Sequence, residues 1–156
     1  MKEPGKLGLS VIFCEAVGIV GTLFTSKAIP EWYSGLNRPF FSPPNWVFGP
    51  VWTALYAMMG VSLYLVTVQK APAKQKQRAY FFFFAQLLLN FLWSIGFFGL
   101  RSPMLGLAII ISLWLTIVLT IRAFRPISRN AAYLLLPYLI WVSFATLLNA
   151  SIAWLN

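Results

Sequence analysis

Apolar residues run almost unbroken through five stretches of the chain, residues 7–24, 46–68, 79–100, 104–121 and 131–155. Each is close to the roughly 20 residues that an α-helix needs to cross a bilayer. Together they take up two thirds of the chain, which leaves too little polar protein to enclose them in a water-soluble core. Backbone polar groups cannot stay unpaired in hydrocarbon, and the runs far exceed the roughly 9–11 residues of a barrel strand. The pattern therefore predicts an all-α membrane protein, a five-transmembrane-helix bundle forming one domain over residues 1–156. Helices are expected at about 7–26, 44–68, 79–100, 104–123 and 130–154, with a long connection over 27–43. The first run reads as a span and not as a signal peptide, whose apolar core is usually 7–15 residues, because it is longer and interrupted by Glu15.

The few polar positions inside the runs indicate which faces look inward. In the third run Gln86, Asn90, Trp93, Ser94 and Phe97 share one helical face, as do Gly49, Trp52, Thr53, Tyr56 and Gly60 in the second. In the fifth, Pro137, Trp141, Ala145 and Asn149 step by four, with Tyr138 and Leu148 alongside. Gly8, Ile12, Glu15, Gly18 and Thr22 form a stripe on the first. Glu15 is the one charge within a span, and an embedded carboxylate is expected to face the bundle, paired or protonated. The spans contain no GxxxG motif for close helix pairing.

The connection between the first two runs is unusual. Residues 32–52 read WYSGLNRPFFSPPNWVFGPVW, with three tryptophans and four prolines where an ordinary loop carries Gly, Ser, Asp and Lys. Such aromatic density argues against disorder, and the prolines restrict the backbone, so the segment reads as a stiff lid. Ser42 is the expected cap of the second helix, followed by the Pro43-Pro44 pair.

Composition narrows the chemistry. Hydrophobic residues make up 60% of the chain and charged ones 10%, yet the formal charge is +9. That charge follows topology and does not indicate nucleic-acid binding. Lys2, Lys6, Lys70, Lys74, Lys76, Arg78, Arg122, Arg125 and Arg129 fall on one side of the five crossings, and Lys27, Arg38 and Arg101 on the other. The positive-inside rule then puts the N-terminus in the cytoplasm and the C-terminus outside. With no histidine and a single cysteine, Cys14, the chain lacks His-ligated metal sites, histidine bases and intramolecular disulfides. No metal and no resident cofactor is expected, and no conventional catalytic constellation is present.

Several motifs resemble the TspO/MBR family of translocator proteins, tryptophan-rich sensory proteins and peripheral-type benzodiazepine receptors. They are Trp32-Tyr33-Ser34-Gly35-Leu36-Asn37-Arg38-Pro39, then Pro43-Pro44-Asn45-Trp46 and Gly49-Pro50-Val51-Trp52, with QLLLNFLWSIGFFG at 86–99 and LPYLIWVSFATLLN at 136–149. The resemblance covers nearly the whole chain. It implies a receptor for tetrapyrroles such as protoporphyrin IX and for other flat hydrophobic molecules, acting as a sensor or carrier, with homodimers common. It also implies a pocket among the first, second, third and fifth helices beneath the first loop. By motif the pocket residues are Tyr33, Trp52, Asn90, Trp93, Trp141, Ala145 and Leu148. Trp52 and Trp141 are the ones implicated where members degrade porphyrin in light and oxygen. The chain departs from animal members after ATLLN, reading ASIAWLN where their sterol pattern needs Tyr and then Lys or Arg.

The residues themselves agree with a flat guest. Trp52, Trp93 and Trp141, with Tyr56 and Phe97 on the same inward faces, suit an aromatic slot, and Arg38, or failing that Lys27, suits the propionates of a porphyrin. Against this, tryptophans near span ends, Trp46 and Trp154, fit headgroup anchoring, and Arg38 fits pairing with loop carbonyls or Glu31. A rival reading starts from Glu15, since small proton-coupled multidrug transporters also keep one glutamate in the first helix. They have four helices and no Trp/Pro lid.

Overall fold

The computed structural model describes residues 3–156, so Lys2 lies outside the described residues. Six helices follow one another. They are α1 (Pro4–Glu31), α2 (Phe48–Val68), α3 (Ala73–Trp93), α4 (Pro103–Phe124), α5 (Arg129–Leu134) and α6 (Leu136–Leu155). α3 continues through a wide π turn, Ser94–Gly99, and α5 and α6 together make the last crossing, so five segments are long and apolar enough to span a membrane. No strand is formed among the described residues.

Helix ends differ from the expected ones for identifiable reasons. α1 passes Lys27 and reaches Glu31, with Pro30 in its last turn, where the missing N–H forfeits a single ladder bond. The Trp32 amide on Ala28 O and the Ser34 hydroxyl on Ile29 O close that end. α3 begins at Ala73, six residues ahead of the apolar run, because Lys74, Lys76 and Arg78 accept helical geometry. Lys76 Nζ donates to Thr67 O at 2.8 Å and so serves a free carbonyl at the end of α2. Pro137 cannot donate, and the last crossing breaks at Leu135. Ser42 does not cap α2: a 3₁₀ turn, Asn45–Val47, leads into that helix, and the Ser42 hydroxyl is buried without a partner. Ser102 and Ser128 do cap, accepting from the Leu105 and Ala131 amides.

The helices close a ring, with α1 against α2, α2 against α5, α6 against α4, α4 against α3, and the π turn against α1. α1 is the most peripheral, burying only Cys14, Gly21 and Ala28. Its fully buried positions thus fall beside the expected stripe, of which Ile12 and Thr22 are exposed and Glu15 and Gly18 half-buried. α1 and α2 pack backbone to backbone at Gly60, where a Cβ would lie 2.5 Å from Val11 Cα.

A polar chain runs through the centre. Tyr56 Oη donates to Asn90 Oδ1 (2.9 Å), Asn90 Nδ2 to Tyr138 Oη (2.7 Å), and Tyr138 Oη to Gln86 Oε1 (2.8 Å). Trp93 Nε1 donates to Asn149 Oδ1, whose amide donates to Pro103 O. Buried polar groups need such partners in an apolar medium, and these bonds link α2, α3, α4 and α6.

Candidate functional site

A cavity of about 280 Å³ lies between α1 on one side and α2, α3 and the π turn on the other. Its back wall is aromatic. Trp52 and Trp93 approach to 6.3 Å between ring centres, Tyr56 sits 5.8 Å from Trp52, and Phe98 is edge-on to Trp93 at 5.7 Å. α1 supplies the opposite wall with Glu15, Gly18, Thr22, Thr25, Ser26 and Ile29, whose spacing makes the slot about 20 Å long at 1.5 Å per residue. Ile19, Thr22, Ser26, Gly49 and Thr53 on its rim are exposed, so the slot opens sideways between α1 and α2, toward the surface that faces lipid. Gly18 permits this geometry, since a Cβ there would lie 2.5 Å from Tyr56 Cε2.

The lid roofs one end. Tyr33 is buried in a 3₁₀ turn, Tyr33–Gly35, with its ring against Phe48, Phe97 and Phe98 and the Arg38 guanidinium 5.1 Å from the ring centre. Arg38 Nη1 also contacts Asn45 Oδ1 at 3.4 Å. Mid-lid, Asn37 is clasped to the end of α6: its amide donates to Asn156 Oδ1 (3.0 Å), and Asn156 Nδ2 donates to Asn37 O (2.9 Å). Phe40 and Trp46 point outward from the lid, and Trp154 is exposed at the end of α6, as headgroup anchors are.

Of the sequence-predicted residues, Trp52, Tyr56, Asn90 and Trp93 line the cavity. Trp141 does not; it packs edge-on against Phe48, 6.1 Å between centres, and Phe48 lines the cavity. Phe97 stacks behind Trp93, and Ala145 and Leu148 are buried in the core. Tyr33 and Arg38 belong to the roof, and neither Arg38 nor Lys27 lines the slot. Glu31, a suggested partner of Arg38, pairs instead with Arg101 at 2.9 Å. Sequence reasoning passed over Thr25, Ser26, Asn45, Phe48 and Phe98. The one available signal was three hydroxyls, Thr22, Thr25 and Ser26, within five residues at the end of an apolar run. Among the described residues no metal-binding group of His, Cys, Asp or Glu assembles.

Among the described residues three side-chain polar atoms are buried with no hydrogen-bond partner, Tyr33 Oη, Ser42 Oγ and Trp141 Nε1. Two belong to the lid, and the third touches Phe48, as Tyr33 does. Unpartnered donors are costly in apolar surroundings, and here they gather at the lid end of the bundle.

Residues 10–155 match the TspO/MBR family. The chain is 46% identical to the tryptophan-rich protein TspO of Archaeoglobus fulgidus, over 97% of each chain. It is 45% identical to the protein of the same name from Chlorobaculum tepidum, over 99% of this chain and 98% of that one. It is 36% identical to the tryptophan-rich sensory protein of Cereibacter sphaeroides, over 95% and 91% respectively. With five membrane-length helices, a tryptophan-walled slot and this likeness along nearly its whole length, the chain is an integral multi-pass membrane protein that belongs to the TspO/MBR family.

Proposed function

We propose that the protein is a membrane receptor for flat hydrophobic molecules, tetrapyrroles such as protoporphyrin IX among them, and acts as a sensor or carrier for them. The observation that carries this reading is the meeting of Trp52 and Trp93, from different helices, at the back of a slot that opens toward lipid. Flat aromatic guests favour such walls, and a hydrophobic guest reaches them by way of the bilayer. Drug-sized pockets are commonly about 300–1,000 Å³. At about 280 Å³ the slot must widen for a macrocycle, by α1 moving off α2 or by the lid lifting. Lifting is favoured by the unpartnered Tyr33, Ser42 and Trp141 atoms, which a guest carrying carboxylates satisfies, with Arg38 at the roof as the cation.

Light- and oxygen-dependent degradation belongs to the same proposal: the excited porphyrin exchanges electrons with the indoles of Trp52 and Trp141, and molecular oxygen is the oxidant that takes up the electrons lost as the macrocycle opens. The orientation with the N-terminus in the cytoplasm rests on charge. Lys70, Lys74, Lys76, Arg78, Arg122, Arg125 and Arg129 lie around the two connections remote from the lid, against Lys27, Arg38 and Arg101 at the lid end.

The test is a dark titration of the purified protein with protoporphyrin IX, followed by tryptophan quenching, and then illumination. Saturable quenching is expected. Trp52→Phe and Trp141→Phe are expected to slow illuminated porphyrin loss more than they weaken dark binding. Linear, non-saturable quenching overturns the receptor reading. Equal photobleaching in both variants and in protein-free micelles removes the degradative part.

A further inference from the structure

Among the described residues the cavity is lined by one charged side chain, Glu15, and its sign is opposite to what a dianionic guest requires. Glu3 and Glu31 each hold a cation, Lys6 and Arg101 respectively, but no ion pair or side-chain hydrogen bond among the described residues engages Glu15. Its carboxylate sits at the end of the slot away from the lid, one helical turn from Gly18, which abuts the Tyr56 ring. Trp52 and Trp93 extend the aromatic wall from there toward the lid. A carboxyl group without a partner beside ring faces is the chemistry that recognises an ammonium group, which supplies the counter-charge the site lacks and displaces any proton the acid carries, with cation–π attraction adding to the ion pair.

We propose that this cavity selects cationic amphiphiles: an ammonium group held between the Glu15 carboxylate and Tyr56, with an aromatic or acyl body lying along Trp52 and Trp93. The proposal rests on reading the cavity as a ligand site, and is independent of whether tetrapyrroles are among its ligands. Depth identifies the source of the guest. Glu15 lies about 18 Å along α1 from Glu3 and about 24 Å from Glu31 at 1.5 Å per residue, near the middle of the span. The headgroup of a bilayer phospholipid stays at the surface, so the guest is a free amphiphile that enters between α1 and α2.

The experiment uses the full chain in phosphatidylcholine nanodiscs and two probes of nearly equal shape. These are (naphthylmethyl)trimethylammonium, whose charge is permanent, and neopentylnaphthalene, in which carbon replaces the nitrogen. Binding is measured by partition between protein-loaded and empty nanodiscs, so that uptake by lipid cancels. Glu15→Gln is expected to weaken the ammonium probe about tenfold or more, the size of a lost charge-assisted contact, while leaving the neutral probe within about twofold. Glu15→Asp, which keeps the charge, is expected to retain most of the preference and guards against a folding defect in the first variant. Equal weakening of both probes by Glu15→Gln, or of neither, overturns the proposal while leaving a hydrophobic ligand site standing. Failure of both probes to bind the unmodified protein also overturns the proposal, while the receptor reading is decided by the protoporphyrin IX titration.

Discussion

The half of the bundle remote from the lid and the half beneath it are built from the same residue types under different rules. Away from the lid, Val66, Phe83 and Phe124 are fully buried, Phe83 and Phe124 stack, and the buried Ser62 hydroxyl donates to Ala131 O at 2.7 Å. At the lid end the polar atoms of Tyr33, Ser42 and Trp141 are buried too, yet they bond to nothing, and Ser42 and Trp141 are themselves only half-buried. Close packing with satisfied bonds leaves one arrangement available; open volume with spare donors leaves room for another. The difference marks which half of the molecule yields to a guest.

Substitutions at matched positions test that contrast. Gly60→Ala and Gly18→Ala both place a Cβ 2.5 Å from a neighbouring atom, but Gly60 meets the Val11 backbone whereas Gly18 meets the Tyr56 ring, beside empty cavity. Gly60→Ala is expected to lower stability by about 1–3 kcal/mol in thermal unfolding, the usual effect of overpacking. Gly18→Ala should cost about 1 kcal/mol at most, the value of the Tyr56–Asn90 bond that a turning ring gives up. Equal losses would erase the distinction between the halves.

Tyr138→Phe strikes the central chain at the hydroxyl that accepts from Asn90 and donates to Gln86. A loss of about 1–2 kcal/mol is expected, since hydrogen bonds between membrane helices are individually modest. Trp93→Phe and Trp141→Phe form the sharper pair. Both shrink an indole, but only Trp93 has a bonded N–H, to Asn149. Trp93→Phe should therefore be the more destabilising by about 0.6–1.7 kcal/mol, read from paired unfolding curves. The smallest effect belongs to Arg101→Ala, which breaks an exposed ion pair with Glu31 and should shift stability by no more than about 0.5 kcal/mol.

Much of this was legible in the chain because membrane burial writes a simple pattern. Five apolar runs announce five crossings, and a polar residue inside such a run must face protein, which is how Gln86, Asn90, Trp93 and Tyr56 identify the interior. What escaped depends on contacts that no periodicity encodes. The continuation of α1 through Pro30 needed only one bond to be forfeited, and the capping role suggested for Ser42 was lost to a 3₁₀ turn. Trp141 packs edge-on against Phe48, which itself lines the slot, Phe97 stacks on Trp93, and Ala145 and Leu148 are buried in the core. Side-chain order in depth is a property of the packed molecule, and the stripe on α1 divides for the same reason: Glu15, Gly18 and Thr22 line the slot, whereas Ile12 is exposed.

The clasp between Asn37 and Asn156 ties the middle of the roof to the far end of the last helix, 119 positions along the chain. Any rise of the roof must either tear that clasp or drag the tail of α6 with it. Two positions before Asn156 stands an indole almost fully in the open, Trp154. The molecule thus carries its own gauge: Trp154 emission should register a displacement that begins at Asn37.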